Sequence, residues 1–291
     1  MTLPHALLAI FINLLWGSMF IAAAIGLEEF PPIFFTGLRF ALLAVLLASF
    51  LRVPSELRRP LFVIGLVMGA GMYLTLYISV ALADNTASIA VFSKLEVPFA
   101  LLMGVIWLGE RIGVRRMTGV TVAMSGAFII TFDPAAFDDL PALCWMAVSC
   151  GFSAAGIILI RKLAKVHPLS IAAWVSVVSA PILLAVSMIF ESGHVAVVQQ
   201  STPSGWLALL YTAIMSSVVA NSGLYFLLQR YPVSLVTPFS LLSPIFAVIG
   251  GVLLLDDVIT MGLLGGGALV LVGVAWINSR NAALQNQRQQ T

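Results

Sequence analysis

Charged side chains are scarce in this chain of 291 residues: only 9% are Asp, Glu, Lys or Arg, whereas 61% are hydrophobic. A soluble domain carries about 25% charged residues, so a soluble fold would lack the polar surface that it needs. Apolar runs long enough to cross a bilayer, about 20 residues each, recur along the whole length. The composition therefore predicts a polytopic membrane protein.

Cysteine, histidine and catalytic motifs are also lacking. The two cysteines, Cys144 and Cys150, lie in one apolar segment and have neither a disulfide framework nor a metal-ligand spacing. The three histidines are not clustered, and no GxxxxGKS, GxxxxGKT, HExxH or Ser-His-Asp arrangement occurs. These absences argue against direct ATP hydrolysis, a metal or other cofactor, and an intramembrane enzyme. Nothing in the sequence indicates a nucleic-acid partner.

The apolar runs, for example 40–51 and 262–276, do not alternate between apolar and polar residues, so they predict helices and not the strands of a barrel. Charged or Pro/Gly-rich breaks separate them. These breaks predict ten spans, at roughly 5–27, 31–51, 60–82, 87–108, 115–133, 140–161, 169–190, 204–228, 233–254 and 258–278.

The distribution of Lys and Arg predicts the orientation. Twelve of the 14 basic residues lie in alternate loops or in the C-terminal tail, whereas the opposite loops contain none and are acidic. Basic residues accumulate in short cytoplasmic loops. We therefore predict a multi-pass membrane protein with both termini in the cytoplasm.

A shift of 146 residues aligns spans three to five with spans eight to ten, and it places Pro98 on Pro244 and Glu110 on Asp256. Five spans per copy is an odd number, so the two copies must have opposite orientations, and the charges of the loops reverse accordingly. The predicted fold is an all-α polytopic membrane protein with ten transmembrane helices in two inverted five-helix repeats (5+5) around a central cavity. The predicted units are 1–136, 137–280 and a polar cytoplasmic tail at 281–291.

Inverted repeats are typical of secondary transporters, which expose one site alternately to each side of the membrane. Some channels also contain such repeats, so a passive channel-like facilitator stays open as an alternative.

Three ionisable residues lie inside the predicted spans: Arg39, Lys94 and Glu96. Charge at membrane depth costs about 3 kcal/mol per residue and usually has a function. Arg39 and Glu96 have opposite charges at similar predicted depths, so we expect a buried, mainly structural ion pair between them. Lys94 would then attract a substrate carboxylate. The alternatives are a silent charge network and proton coupling through Glu96 or Lys94.

Pro98 and Pro244 are predicted to kink spans four and nine. Each lacks the amide hydrogen that would bond the carbonyl four residues earlier, which belongs to Lys94 and Ser240 respectively. Transporters bind substrates at broken helices near the midplane. We therefore predict substrate binding at Lys94 and Ser240, with these aromatic side chains as further candidates: Trp16, Tyr73, Tyr77 and Tyr225.

Two intramembrane amides, Asn13 and Asn221, are interpreted as helix-to-helix hydrogen bonds in preference to substrate ligands. Glycines recur in spans five and ten, among them Gly126 and Gly273. They permit close helix approach and are interpreted as packing between the repeats or, as a second reading, as a dimer surface. We accordingly expect a monomer or a weak dimer.

Three motifs resemble the drug/metabolite transporter superfamily, EamA type: NLLWGSMF at 13–20, PFALLMGVIWLGERI at 98–112 and its echo PIFAVIGGVLLLDDV at 244–258. Within that superfamily the chain most resembles the YddG-type (aromatic) amino-acid exporters of bacterial inner membranes. The resemblance implies export of amino acids or related small metabolites through a central cavity between the repeats. The partners would be a small amphipathic substrate and the lipid bilayer. A drug/metabolite exporter with other substrates is the second alternative.

Overall fold

The computed structural model describes residues 1–82, 93–131, 140–163, 166–243, 245–247, 249, 265–273 and 276. Within these ranges the regular structure is helical and contains no strand. The helices are α1 (Leu3–Leu27), α2 (Pro32–Leu46), α3 (Ser55–Ile64), α4 (Met72–Leu82), α5 (Glu96–Leu108), α6 (Val114–Thr131), α7 (Leu140–Lys162), α8 (Pro168–Phe190), α9 (His194–Gln200), α10 (Pro203–Tyr211), α11 (Asn221–Arg230), α12 (Val233–Val236) and α13 (265–273).

Many of these helices have the length and composition of membrane spans. Among the described residues, five stretches are long and apolar enough to cross a bilayer: Leu3–Leu27, Ser55–Leu76, Cys144–Lys162, Pro168–Phe190 and Pro203–Arg230. Three shorter apolar helices are Pro32–Leu46, Glu96–Leu108 and Val233–Ala247. Each overlaps one predicted span, and the all-helical polytopic class is as predicted. The count of ten stays a prediction, and the short helix α9 was not predicted.

Two π-helical segments occur at corresponding places in the two halves of the chain. Gly65–Gly71 joins α3 to α4, and Thr212–Ala220 joins α10 to α11. The shift of 146 residues places the first segment on 211–217, which overlaps the second. The repeat read from the sequence is therefore also visible in the local geometry of the backbone.

Short 3₁₀ segments form a second matching pair, Ser93–Leu95 and Thr237–Leu242. The first ends just before α5, so that Pro98 lies in the first turn of that helix, where a missing amide hydrogen costs no intrahelical bond. Pro244 lies outside the described residues, and its kink stays a prediction.

The core lies between the two halves of the chain. Helix α2 packs along α8, and both α4 and α5 pack on α7, so each pair combines a helix from each half. The glycines of spans five and ten contact one another as predicted: Gly126 approaches the carbonyl oxygen of Gly266, and Gly273 approaches that of Gly119. These contacts bring the backbones of α6 and α13 together.

Loops that were predicted to share one side of the membrane lie together. The loops after α1 and α8 meet at one end of the bundle, where the Glu191 carboxylate accepts from the backbone N–H of Ile33 at 2.8 Å and of Phe34 at 2.7 Å. Helix α2 has no cap from its own segment. A carboxylate favours a helix N-terminus because it satisfies free N–H groups and complements the helix dipole, so Glu191 ties the start of α2 to α8.

At the other end, the -LGER- motif links α5 to α12. Gly109 ends α5 with φ 64°, a left-handed conformation that favours glycine. The next residue, Glu110, accepts from the backbone N–H of Val233 at 2.8 Å and of Ser234 at 3.1 Å. The motif thus ends one helix and caps another from the opposite half of the chain.

Glu29 makes the third carboxylate link between the halves. It accepts from the hydroxyl and from the backbone N–H of Thr202, the residue that precedes α10. The Thr202 hydroxyl bond, followed by the N–H bond, holds the pKa of Glu29 below its ordinary value of 4.5. A carboxyl whose pKa is lowered by folding stabilises the fold above its unfolded pKa, and that contribution is lost as the pH falls through the folded pKa.

We therefore expect Glu29→Gln to remove one part of the acid sensitivity of the fold. Wild type should lose thermal stability between about pH 6 and pH 3 more steeply than Glu29→Gln, because protonation breaks only the wild-type link. Thermal unfolding of the detergent-solubilised protein measures this. The neighbouring exposed Glu28→Gln is the control and should keep the wild-type slope. Equal slopes for all three proteins would contradict the assignment.

Candidate functional site

A cavity lies between elements from both halves of the chain. Its wall comes from α1, the start of α5, α7, α11 and the segment 236–240, and the volume open to the centre of a water-sized molecule is about 20 Å³. Pockets for small molecules likewise have mostly apolar walls and a few polar groups, but this volume holds only about one water molecule, so the cavity is closed around its wall residues. The polar members of this wall are Asn13, Trp16, Glu96, Thr237 and Ser240. Three predicted site residues, Trp16, Glu96 and Ser240, thus line one space.

The indole of Trp16 is fixed by a partner on another helix. Its Nε1–H donates to Oδ1 of Asn221 on α11 at 3.2 Å. This bond joins α1 to α11, as predicted for Asn221. Asn13 does not follow the prediction, because its Nδ2 donates at 2.7 Å to the carbonyl of Ala9 in its own helix. An amide that bonds within one helix makes no contribution to helix association.

Arg39 on α2 is buried, with 6% of its surface exposed. Its Nε donates to Ser217 at 2.8 Å, Nη2 to Ser216 at 3.4 Å and Nη1 to the sulfur of Met19 at 3.7 Å. In the described part of the chain Glu96 is not among its hydrogen-bond partners, in contrast to the predicted ion pair. The depths predicted for Arg39 and Glu96 are similar, but the packing of α2 turns the guanidinium toward the π-helical segment Thr212–Ala220.

Aromatic rings complete the surroundings of this guanidinium. Its carbon lies 5.8 Å from the ring centre of Phe40 and 5.9 Å from that of Tyr73, within the range of cation–π attraction. Phe40 and Tyr73 meet edge to face at 5.1 Å. Tyr225 on α11 is buried, with 2% of its surface exposed. Of the predicted substrate residues, Tyr73 thus lies beside Arg39, and neither Tyr73 nor Tyr225 is part of the cavity wall described above.

Two other predicted site residues are only partly placed. The backbone of Lys94 lies in the 3₁₀ segment before α5, and that of Tyr77 lies in α4. Their side chains lie outside the described part of the structure, so the predicted role of each stays a prediction.

The sequence alone did not single out Thr237, Ser216 or Ser217, which contact the cavity or Arg39. Ser and Thr are common in this chain, and such hydroxyls often hydrogen-bond to the backbone of their own helix. The residue type alone therefore could not show which of them face the cavity or Arg39. Among the described residues, no group of three or more His, Cys, Asp or Glu could hold a metal ion.

Comparison with known proteins gives a consistent result. The EamA-like transporter family matches residues 3–132 and again 140–279. A probable amino-acid metabolite efflux pump of Escherichia coli K12 is 25% identical over 288 residues, which are 96% of this chain and 95% of that protein. An uncharacterized transporter of Bacillus subtilis, YoaV, is 22% identical over 274 residues, covering 90% of this chain and 92% of YoaV.

A solved crystal structure has the same fold. It superimposes with a TM-score of 0.79 and 19% sequence identity over 100% of both chains. The two successive family matches span almost the whole sequence and include every residue of the cavity wall. The chain belongs to the EamA-like transporter family, a family of multi-pass membrane transporters and not of enzymes.

Proposed function

We propose that this protein is a secondary transporter that exports amino acids or related small metabolites across the inner membrane by alternating access. One observation carries the proposal: a cavity with a mostly apolar wall and a few polar groups lies between elements of both halves of the chain. Such a wall suits a small amphipathic molecule with one polar and one apolar end, which the cavity would admit on widening during the transport cycle. The relatives named as amino-acid metabolite efflux pumps support this substrate class.

The same proposal includes the finer architecture. Ten spans form two inverted repeats of five, at 1–136 and 137–280, with both termini and the tail at 281–291 in the cytoplasm. Matching π and 3₁₀ segments in the two halves support the repeat. The glycine contact between α6 and α13 lies within one chain, which supports a monomer or weak dimer.

Two cations, Lys94 and Arg39, are candidates for holding a substrate carboxylate. Lys94 is the candidate from the sequence, at the start of the fourth predicted span. Its repeat equivalent, Ser240, lines the cavity. At this position of the repeat only the first half of the chain has a charged residue, so the proposed site carries its charge on the side of the first half.

Counterflow in proteoliposomes tests the function. Vesicles are loaded with one unlabelled amino acid each, and uptake of labelled amino acid is followed without and then with a pH gradient. We expect trans-stimulated uptake without a gradient, because a carrier exchanges substrate across one alternating site. In the same assay Lys94→Ala should lower uptake of carboxylate substrates, whereas Lys162→Ala, an exposed lysine, should not.

Other outcomes would change the proposal. Uptake that depends on a pH gradient would direct attention to Glu96 and Lys94 as titrating groups. Uptake of labelled amino acid that is not stimulated by internal substrate would indicate a channel-like facilitator. If none of the amino acids is taken up under either condition, this substrate class is excluded.

A further inference from the structure

One polar atom of the cavity wall lacks a hydrogen-bond partner. Asn13 is 2% exposed, and its Nδ2 is engaged by the carbonyl of Ala9. Its other amide atom, Oδ1, is buried without any hydrogen-bond partner among the described residues. An unsatisfied buried acceptor costs about 1–3 kcal/mol, and native proteins keep few of them. Because Asn13 lines the cavity, a ligand in that cavity is placed to supply the missing donor.

The neighbouring polar groups also offer acceptors. The hydroxyl of Thr237 donates to the carbonyl of Val233 at 3.0 Å, and that of Ser240 donates to the carbonyl of Thr237 at 2.8 Å. Each hydroxyl hydrogen is thus used by the protein, while the oxygen lone pairs stay available. The Trp16 N–H is likewise used by Asn221. Apart from these groups, Glu96 adds carboxyl oxygens to the wall.

A wall in which Asn13 Oδ1 has no donor, and in which the Thr237 and Ser240 oxygens keep lone pairs, selects a ligand group rich in hydrogens. A primary ammonium carries three N–H donors and no acceptor, which complements such a wall. A carboxylate brings only acceptors and would leave Asn13 unsatisfied.

We propose that the Asn13 carboxamide oxygen accepts a hydrogen bond from the primary ammonium group of the transported molecule. The proposal rests on the amino-acid function proposed above and assigns the amine end of the substrate to α1, next to Trp16. Since Oδ1 is buried, the cavity must widen to admit the ligand, as a carrier does during its cycle.

The test compares two compounds that differ only in the amine. Purified full-length protein in proteoliposomes is assayed for counterflow of L-phenylalanine and of 3-phenylpropionate. Wild type should prefer phenylalanine. Asn13→Leu keeps the size of the side chain and removes the acceptor, so we expect the KM for phenylalanine to rise about tenfold or more, with little change for 3-phenylpropionate. Asn13→Asp keeps an acceptor and should retain phenylalanine transport.

Equal changes of the two KM values in Asn13→Leu, or no change in either, would overturn the ammonium subsite, and the second result would leave the amino-acid function intact. If wild type transports neither compound, thermal stabilisation by phenethylamine separates the two proposals. Stabilisation of wild type that Asn13→Leu lacks would support the subsite without the amino-acid function, and no stabilisation would overturn it. If Asn13→Leu fails to fold, phenethylamine binding to Asn13→Asp is compared with binding to wild type. Tighter binding by Asn13→Asp would support the subsite, and unchanged binding would overturn it.

Discussion

Arg39→Met should lower transport of amino acids at least about tenfold while leaving the thermal stability of the protein within a few degrees of wild type, or raising it. The reason is the kind of partner that this guanidinium has. Its hydrogen bonds go to two serines and a methionine, all neutral. Burying a cation against neutral groups costs free energy. Replacing Arg39 by Met removes this unfavourable term and breaks no ion pair, so the folded state should not lose much stability.

Under the amino-acid function proposed above, the same charge attracts the substrate carboxylate. A cation in a medium of low dielectric constant attracts an anion far more strongly than it does in water. Arg39 is 6% exposed, and its guanidinium carbon lies 5.8 Å from the ring centre of Phe40 and 5.9 Å from that of Tyr73. A carboxylate that reaches this level of the bundle would gain the charge partner that the serines do not supply.

Two variants make the Arg39 test decisive. Arg230→Met removes a cation from an exposed position at the end of α11 and should transport as wild type does. Arg39→Lys keeps the charge but loses the planar fork of donors, and should be intermediate. Normal transport by Arg39→Met together with a large loss of stability would contradict the functional role and return Arg39 to the structural role first expected from the sequence.

Gly273→Ala should destabilise the protein by about 1–3 kcal/mol, because the site has no room for a methyl group. A Cβ at this position would lie 2.5 Å from the amide nitrogen of Ala123 and 2.6 Å from the carbonyl oxygen of Gly119. Backbone atoms cannot turn aside as a flexible side chain does, so α6 and α13 must separate. Gly126→Ala should have a similar effect, since its Cβ would meet the carbonyl of Gly266 and would lie 2.7 Å from the amide nitrogen of Val270.

Gly265→Ala, at an exposed position, is the matched control on α13. A Cβ there has no neighbour within 4 Å among the described residues. Alanine also has a higher helix propensity than glycine, so this variant should be neutral or slightly stabilising. Thermal unfolding in detergent, followed by loss of the monodisperse peak on size exclusion, compares the three variants. If Gly273→Ala and Gly265→Ala unfold at the same temperature, the backbone contact does not set the distance between α6 and α13.

The sequence by itself determined the class of the protein. Lipid offers no hydrogen-bond partner to backbone N–H and C=O groups, so long apolar runs that cross it must be helices. The hydropathy of such runs can be calculated directly from the sequence. Two contacts agree with the predicted grouping of the loops: Glu191 reaches the start of α2, and Glu110 reaches the start of α12. The -LGER- motif pointed to the family for the same reason, because a motif is a local property.

Only the tertiary structure decided which side chains meet. Depth along a span follows from a rise of about 1.5 Å per residue, which is why Arg39 and Glu96 were expected at one level. The rotation of each helix and the identity of its neighbour come from packing between segments far apart in the chain. Ser217 lies 178 residues after Arg39, and Glu110 caps a helix 123 residues away. For the same reason the sequence could not foresee that Asn13, expected to join two helices, would bond its own helix and leave one oxygen for the cavity.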